Sequence, residues 1–155
     1  MKAKKMFVVM SFVTVFTMLA ADPAGVINGW DFRRSQSKGE LTEANALVIK
    51  GSNIKHTDLN RFKSIKCKTG DTIGLKYAVD GNGEFTSGCH LYNKRNQWIG
   101  VVKGDIKTVD GKSIVEFSLV IPACKKGEVV ACRPYISVGK NGIVTLDKFE
   151  YSINK

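Results

Sequence analysis

From Ala46 onward, apolar and polar side chains alternate in short runs, the two-residue period of strands rather than the 3.6-residue period of helices. The pattern predicts strands at Ala46–Lys50, Lys63–Cys67, Thr72–Val79, Phe85–Tyr92, Trp98–Lys103, Ser113–Ile121, Val129–Val138 and Ile143–Ile153. Residues that tolerate positive φ separate them: Lys68-Thr-Gly-Asp71, Asp80-Gly-Asn-Gly83, Asp110-Gly111, Lys126-Gly127 and Lys140-Asn-Gly142. Short strands with regular turns predict an all-β chain, a two-sheet antiparallel β-sandwich of jelly-roll type.

Alternation also sorts the side chains onto two faces. Val115, Phe117, Leu119 and Ile121 share one face against Glu116 and Ser118, and Ile73, Leu75, Tyr77 and Val79 share one against Gly74 and Lys76. Phe85, Cys89 and Leu91 turn inward, leaving His90 and Tyr92 outward. Cys132, Ile136 and Val138 turn inward and leave Arg133 and Tyr135 outward, while Ile99 and Val101 turn inward and leave Trp98 outward. The final strand changes phase between Leu146 and Phe149, which requires a bulge near Asp147.

His90, Tyr92, Trp98, Arg133 and Tyr135 therefore fall on the non-core face of three strands. Rings normally bury their apolar area, so several of them facing water mark a binding surface. Sugars suit such a surface, because their C–H faces pack on Trp and Tyr while Arg and His hydrogen-bond the hydroxyls. The competing explanation is cross-strand packing, which by itself places Tyr, Trp and Arg on exposed sheet faces.

The first segment breaks the strand pattern. Lys2, Lys4 and Lys5 precede an apolar run from Met6 to Leu19, and Ala20 and Ala21 follow it. This is the arrangement of a secretory signal peptide. As a helix the run spans about 21 Å, short of the roughly 30 Å of a bilayer core. Cleavage after Ala21 is expected, leaving one domain over residues 22–155, exported to the periplasm or the extracellular space, with no integral membrane span. The whole chain carries a net charge of +10, which falls to +7 without the three leading lysines. In an exported protein that balance favours acidic glycans or surfaces over nucleic acid. An apolar content of 43% excludes a disordered chain.

Four cysteines, Cys67, Cys89, Cys124 and Cys132, are even in number and lie in the exported part, where disulfides with three possible pairings are expected. Buried free thiols are the alternative. Trp30 follows Gly29 near the start of the domain and is expected to pack into the sandwich rather than to touch ligand.

The order of these segments resembles the carbohydrate-binding modules with a galactose-binding-like jelly roll. The resembling stretches are LVIKG at Leu47–Gly51, KTGDTIGLKYAVDG at Lys68–Gly81 and GCHLYNKRNQWIG at Gly88–Gly100. VEFSLVIPA at Val115–Ala123 and CRPYISVGKNGIVTLDKFEYSI at Cys132–Ile153 complete the series. The resemblance implies non-catalytic glycan binding on a concave sheet face or at the loops of one end, with His90, Tyr92, Trp98, Arg133 and Tyr135 as the face candidates. It places the strands of Cys89 and Cys132 side by side, which pairs those two and leaves Cys67 with Cys124. It also implies a structural calcium, for which Asp147 with Asp31 or Glu40 would serve; without a spaced Asp/Asn loop, ordinary surface charges are the alternative.

The chain contains no GxSxG elbow, no HExxH pair and no phosphate-binding loop. Glu84, Glu116 and Asp105 are the nearest carboxylates for glycoside hydrolysis, and their spacing does not converge. Two further readings remain. A protein-binding or surface-structural sandwich would use the same aromatic face. A small polysaccharide lyase would use His90 or Tyr92 as base, with Arg133 neutralising a uronate.

Overall fold

The computed structural model describes Ala24 and residues 26–27, 29–33, 38–51, 56–61 and 63–155. The expected signal peptide, Met1–Ala21, lies outside them. The described residues form strands β1 (Val26–Ile27), β2 (Trp30–Asp31), β3 (Lys38–Leu41), β4 (Leu47–Lys50), β5 (His56–Arg61) and β6 (Ile65–Lys66). These are followed by β7 (Thr72–Tyr92), β8 (Trp98–Lys103), β9 (Lys107–Asp110), β10 (Ser113–Val120), β11 (Ala131–Gly139) and β12 (Ile143–Asn154). No helix among them is long and apolar enough to cross a membrane.

The 21-residue β7 organises everything else. Two strands split by a turn at Asp80–Gly83 are expected from the sequence, yet the ladder continues through that segment and bends. Gly81 (φ 143°) and Gly83 (φ 121°) hold backbone conformations that L side chains rarely adopt. A Cβ on Gly83 would lie 2.8 Å from the Cα of Gly142. The strand therefore creases without leaving its partners, and each half joins a different layer.

The chain from β8 to β10 runs back along the full length of β7. Trp98 lies opposite Tyr92, Lys107 opposite Phe85, Ser113 opposite Val79 and Val120 opposite Thr72. On the other side of β7, β12 follows its first half and β11 its second. One layer is thus β3-β4-β12-β7-β10, and the other is β1-β2-β5-β11-β7-β8, with β9 at the crease. This is an antiparallel two-layer jelly roll. The bulge required near Asp147 appears as a register shift between Leu146 and Lys148.

Apolar rows of both halves of β7 meet β10, β11 and β12 in one core. Tyr77 is its hub, with ring centroids 5.3 Å from Phe85 and 5.1 Å from Phe149. Trp30 is buried against Phe149 at 5.5 Å, a packing residue. The Ser87 hydroxyl donates to the Tyr135 carbonyl at 2.7 Å, so the Tyr77 hydroxyl donates to Ser87, also at 2.7 Å. Burial pushes the Tyr77 phenol above its ordinary range, against the opposing effect of that hydrogen bond. It stays protonated and supplies the donor.

The expected disulfides are absent. Cys67, Cys89, Cys124 and Cys132 are all free thiols. Cys132 is opposite Leu91, whereas Cys89 is opposite Pro134, so those two are diagonal neighbours rather than a direct cross-strand pair. The Cys132 thiol lies against those of both Cys67 and Cys89, yet all three remain free. Cys67, expected to pair with Cys124, instead hydrogen-bonds Cys132, and this contact, followed by burial, holds its thiol well above the ordinary range. Cys124 sits in the β10–β11 connection, near the carbonyl of Pro122.

Candidate glycan-facing surface

β7, β8 and β11 are adjacent strands of the second layer, and their register decides which side chains share its outer face. His90 lies opposite both Val101 and Arg133, Tyr92 opposite Trp98 and Ala131, and Gly88 opposite Lys103 and Tyr135. Their neighbours Phe85, Cys89 and Leu91 belong to the core. His90, Tyr92, Trp98, Arg133 and Tyr135 thus occupy one face of three neighbouring strands. One detail of the alternation is corrected: Val101 is outward and Val102 packs on the core. A register shift between Leu91 and Tyr92 absorbs Ile99 and resets the phase.

The side chains fix one another. Trp98 is 49% exposed. Its indole Nε1 donates to His90 Nδ1 at 3.0 Å, which sets the ring plane and requires that nitrogen to be unprotonated. The Lys126 ammonium lies 5.3 Å from the Trp98 ring centroid. His90 in turn packs on Tyr135, with ring centroids 4.9 Å apart.

Arg133 ties together three segments at the end of the layer. Its Nε donates to Ser64 Oγ at 2.9 Å and Nη2 to Asn96 Oδ1 at 3.2 Å, while the guanidinium lies 4.6 Å from the Tyr92 ring centroid. The partner Asn96 is presented by the β7–β8 turn. There Asn93 Oδ1 accepts from the backbone of Arg95 and Gln97, and Asn96 takes φ 56°. Ser64 and Asn96 were not anticipated. An Asn flanked by turn residues signals the turn, but nothing local shows that its amide meets a strand 37 residues later.

Tyr135 departs from the expectation of a solvent-facing ring: it is 2% exposed. Gly88 lies directly opposite, and a Cβ there would come within 2.6 Å of Tyr135 Cε1. The missing side chain lets the ring lie down against β7 beneath His90. Tyr135 supports the surface instead of presenting itself.

Of the carboxylates considered for hydrolysis, Glu84 lies in the second-layer half of β7, apart from Glu116 on β10 of the first layer, which is ion-paired with Lys76 at 2.9 Å. Asp105 lines a small pocket together with Glu116, beside Lys103 and Lys107. The residues considered for calcium do not fit one either. Asp31 binds the Arg33 guanidinium, Glu40 pairs with Lys50, and the described residues contain no group of three or more His, Cys, Asp or Glu suited to a metal.

The chain matches no protein-family model and no curated protein sequence. Its fold is shared with solved structures. One is a fragment of Clostridium thermocellum endo-1,4-beta-D-xylanase 10B with a family 22 carbohydrate-binding module and a GH10 module, complexed with xylohexaose. It superposes with TM-score 0.61 at 9% identity, over 84% of this chain and 27% of that one. The first family 22 xylan-binding domain of Paenibacillus barcinonensis Xyn10C gives 0.56 at 12% identity, over 84% of this chain and 89% of that one. The enzymatically active domain of bacteriophage CBA120 tailspike protein 4 gives 0.52 at 10% identity, over 83% of this chain and 20% of that one. The chain thus spans about a quarter or less of the xylanase fragment and the tailspike domain. At these identities the likeness establishes the fold: a jelly roll of the carbohydrate-binding-module type.

Proposed function

We propose that this protein is an exported, non-catalytic glycan-binding module, and that it takes a polysaccharide or oligosaccharide on the outer face of β7, β8 and β11. The observation that carries this reading is Trp98: a half-exposed indole held in one orientation by His90, with the Lys126 ammonium over its ring. An exposed ring whose edge N–H is already satisfied offers a rigid apolar platform at small conformational cost, which is what a sugar's C–H face needs. Arg133, stacked on the Tyr92 ring that lies opposite Trp98, and its partner Asn96 add polar groups for hydroxyls. Two of the solved structures that share the fold are named for xylan binding or hold a xylo-oligosaccharide, which supports the ligand class.

The test is affinity electrophoresis of the protein in gels containing xylan, a mixed-linkage glucan, a mannan or a uronate polymer, followed by titration calorimetry with the best ligand. Retardation in at least one gel is expected, with Trp98→Ala losing tenfold or more in affinity at unchanged thermal stability. No retardation in any gel, or full retention by Trp98→Ala, would refute it. Growth of absorbance near 235 nm with the uronate polymer would identify a lyase instead.

A further inference from the structure

β10 is an edge. Among the described residues its eight-residue ladder runs to β7 alone, without a register shift, and it contains neither proline nor glycine. Soluble proteins usually blunt such an edge with a proline, a bulge or charges, because its free N–H and C=O groups recruit another strand. Here the solvent face of the strand reads Ile114, Glu116, Ser118, Val120, with Ile114 58% and Val120 61% exposed. Glu116 is neutralised by Lys76 of its own chain at 2.9 Å.

This row is complementary to itself. Ile114 and Val120 stand at equal distances on either side of Phe117. In an antiparallel pairing with a two-fold axis at Phe117, each Ile114 meets the other copy's Val120 and each Glu116 meets the other copy's Ser118. Both exposed apolar side chains are covered and no like charges stand opposite each other. Pro122 lies just past the strand, so the new ladder ends where the old one does.

We propose that two copies of this protein pair antiparallel along β10, joining their first layers into one continuous sheet. The contact is small, an eight-residue ladder with four apolar side chains, so the dimer belongs to the weak, reversible class of interfaces. Association through β10 leaves the outer faces of β7, β8 and β11 free on both copies, giving two Trp98 platforms in one particle and avidity for a polymer.

Sedimentation equilibrium over about 1–500 µM, without any sugar, tests it independently of glycan binding. The wild type is expected to shift from monomer to dimer, and amide exchange along Ser113–Val120 to slow as concentration rises. Ile114→Lys with Val120→Lys puts like charges opposite at both positions and is expected to raise the dissociation constant at least tenfold. Ile114→Lys with Val120→Glu puts opposite charges there and is expected to keep the dimer. Both variants change exposed side chains, so circular dichroism should match wild type. A wild type that is monomeric throughout, whether or not another protein's segment can occupy the edge, overturns the proposal. So does a dimer that survives the double lysine variant, because another surface would then hold it.

Discussion

The two outer faces of the sandwich are built from the same strand yet hold their side chains in different ways. On the second layer, Trp98, His90, Arg133, Asn96 and Ser64 are linked by directed hydrogen bonds between 2.9 and 3.2 Å. On the first layer, the half of β7 before the crease lies under a row of ion pairs, Lys76–Glu116 at 2.9 Å and Lys148–Glu150 at 2.6 Å, all on exposed side chains. That side has a groove of about 840 Å³, lined in part by Lys76, Glu116, Ser118, Glu150 and Ser152. Size alone would favour the groove. Solvated ion pairs contribute little and fix little, however, and each charged group there already has a mobile partner. The groove also carries a ring, Tyr151, 55% exposed and stacked on Phe149. What sets the second-layer face apart is that directed hydrogen bonds fix Trp98 and Arg133 before a ligand arrives.

Substitutions on the two faces can break this contrast. The largest effect is expected from Gly88→Val, which drives a side chain into the Val102 backbone carbonyl and the Tyr135 ring. Overpacking of this kind costs about 1–3 kcal/mol, read as a lower midpoint in chemical denaturation, and glycan retention should fall with it. Trp98→Ala should cost about 2 kcal/mol of binding while leaving the midpoint in place, because the ring contributes area to ligand rather than to the core. Arg133→Lys should weaken retention threefold to tenfold, since an ammonium cannot hold Ser64 and Asn96 and also stack on Tyr92. The smallest effect belongs to Glu150→Gln. Lys148 holds that carboxyl below its ordinary range, so its contribution is present at neutral pH and lost as pH falls through the folded value. The group is fully exposed, so the denaturation midpoint at pH 7 and glycan retention should not change measurably. If Glu150→Gln or Lys76→Ala weakened retention as much as Trp98→Ala, the ligand would belong on the other face.

Much of this contrast is legible in the alternation of the sequence. A period of two puts His90, Tyr92, Arg133 and Tyr135 on one side of their strands, and neighbouring strands bring Trp98 beside Tyr92. What alternation cannot show is depth. Tyr135 has the outward phase and is nevertheless covered, because its fate depends on a glycine in another strand. The cysteines mislead for a related reason: inward phase is shared by Cys89 and Cys132, but pairing also needs register, and the register is off by two. The segment Asp80-Gly-Asn-Gly83 has turn composition, and its glycines do adopt turn-like φ values, yet partners on both sides keep it within the ladder. The short strands β1, β2, β3, β5 and β9 were not foreseen; β1, β2 and β9 span only two to four residues, too few for a period to emerge.

The crease in β7 also makes the molecule sensitive to parity. Val79 before it and Phe85 after it both point into the core, an even number of steps apart. Inserting or deleting a single residue between them would leave the first layer as it is and turn the second inside out, sending His90 and Tyr92 toward the interior and Cys89 and Leu91 toward water. Length variation at this point is therefore permissible only in pairs, and a lone indel there would erase one face while sparing the other.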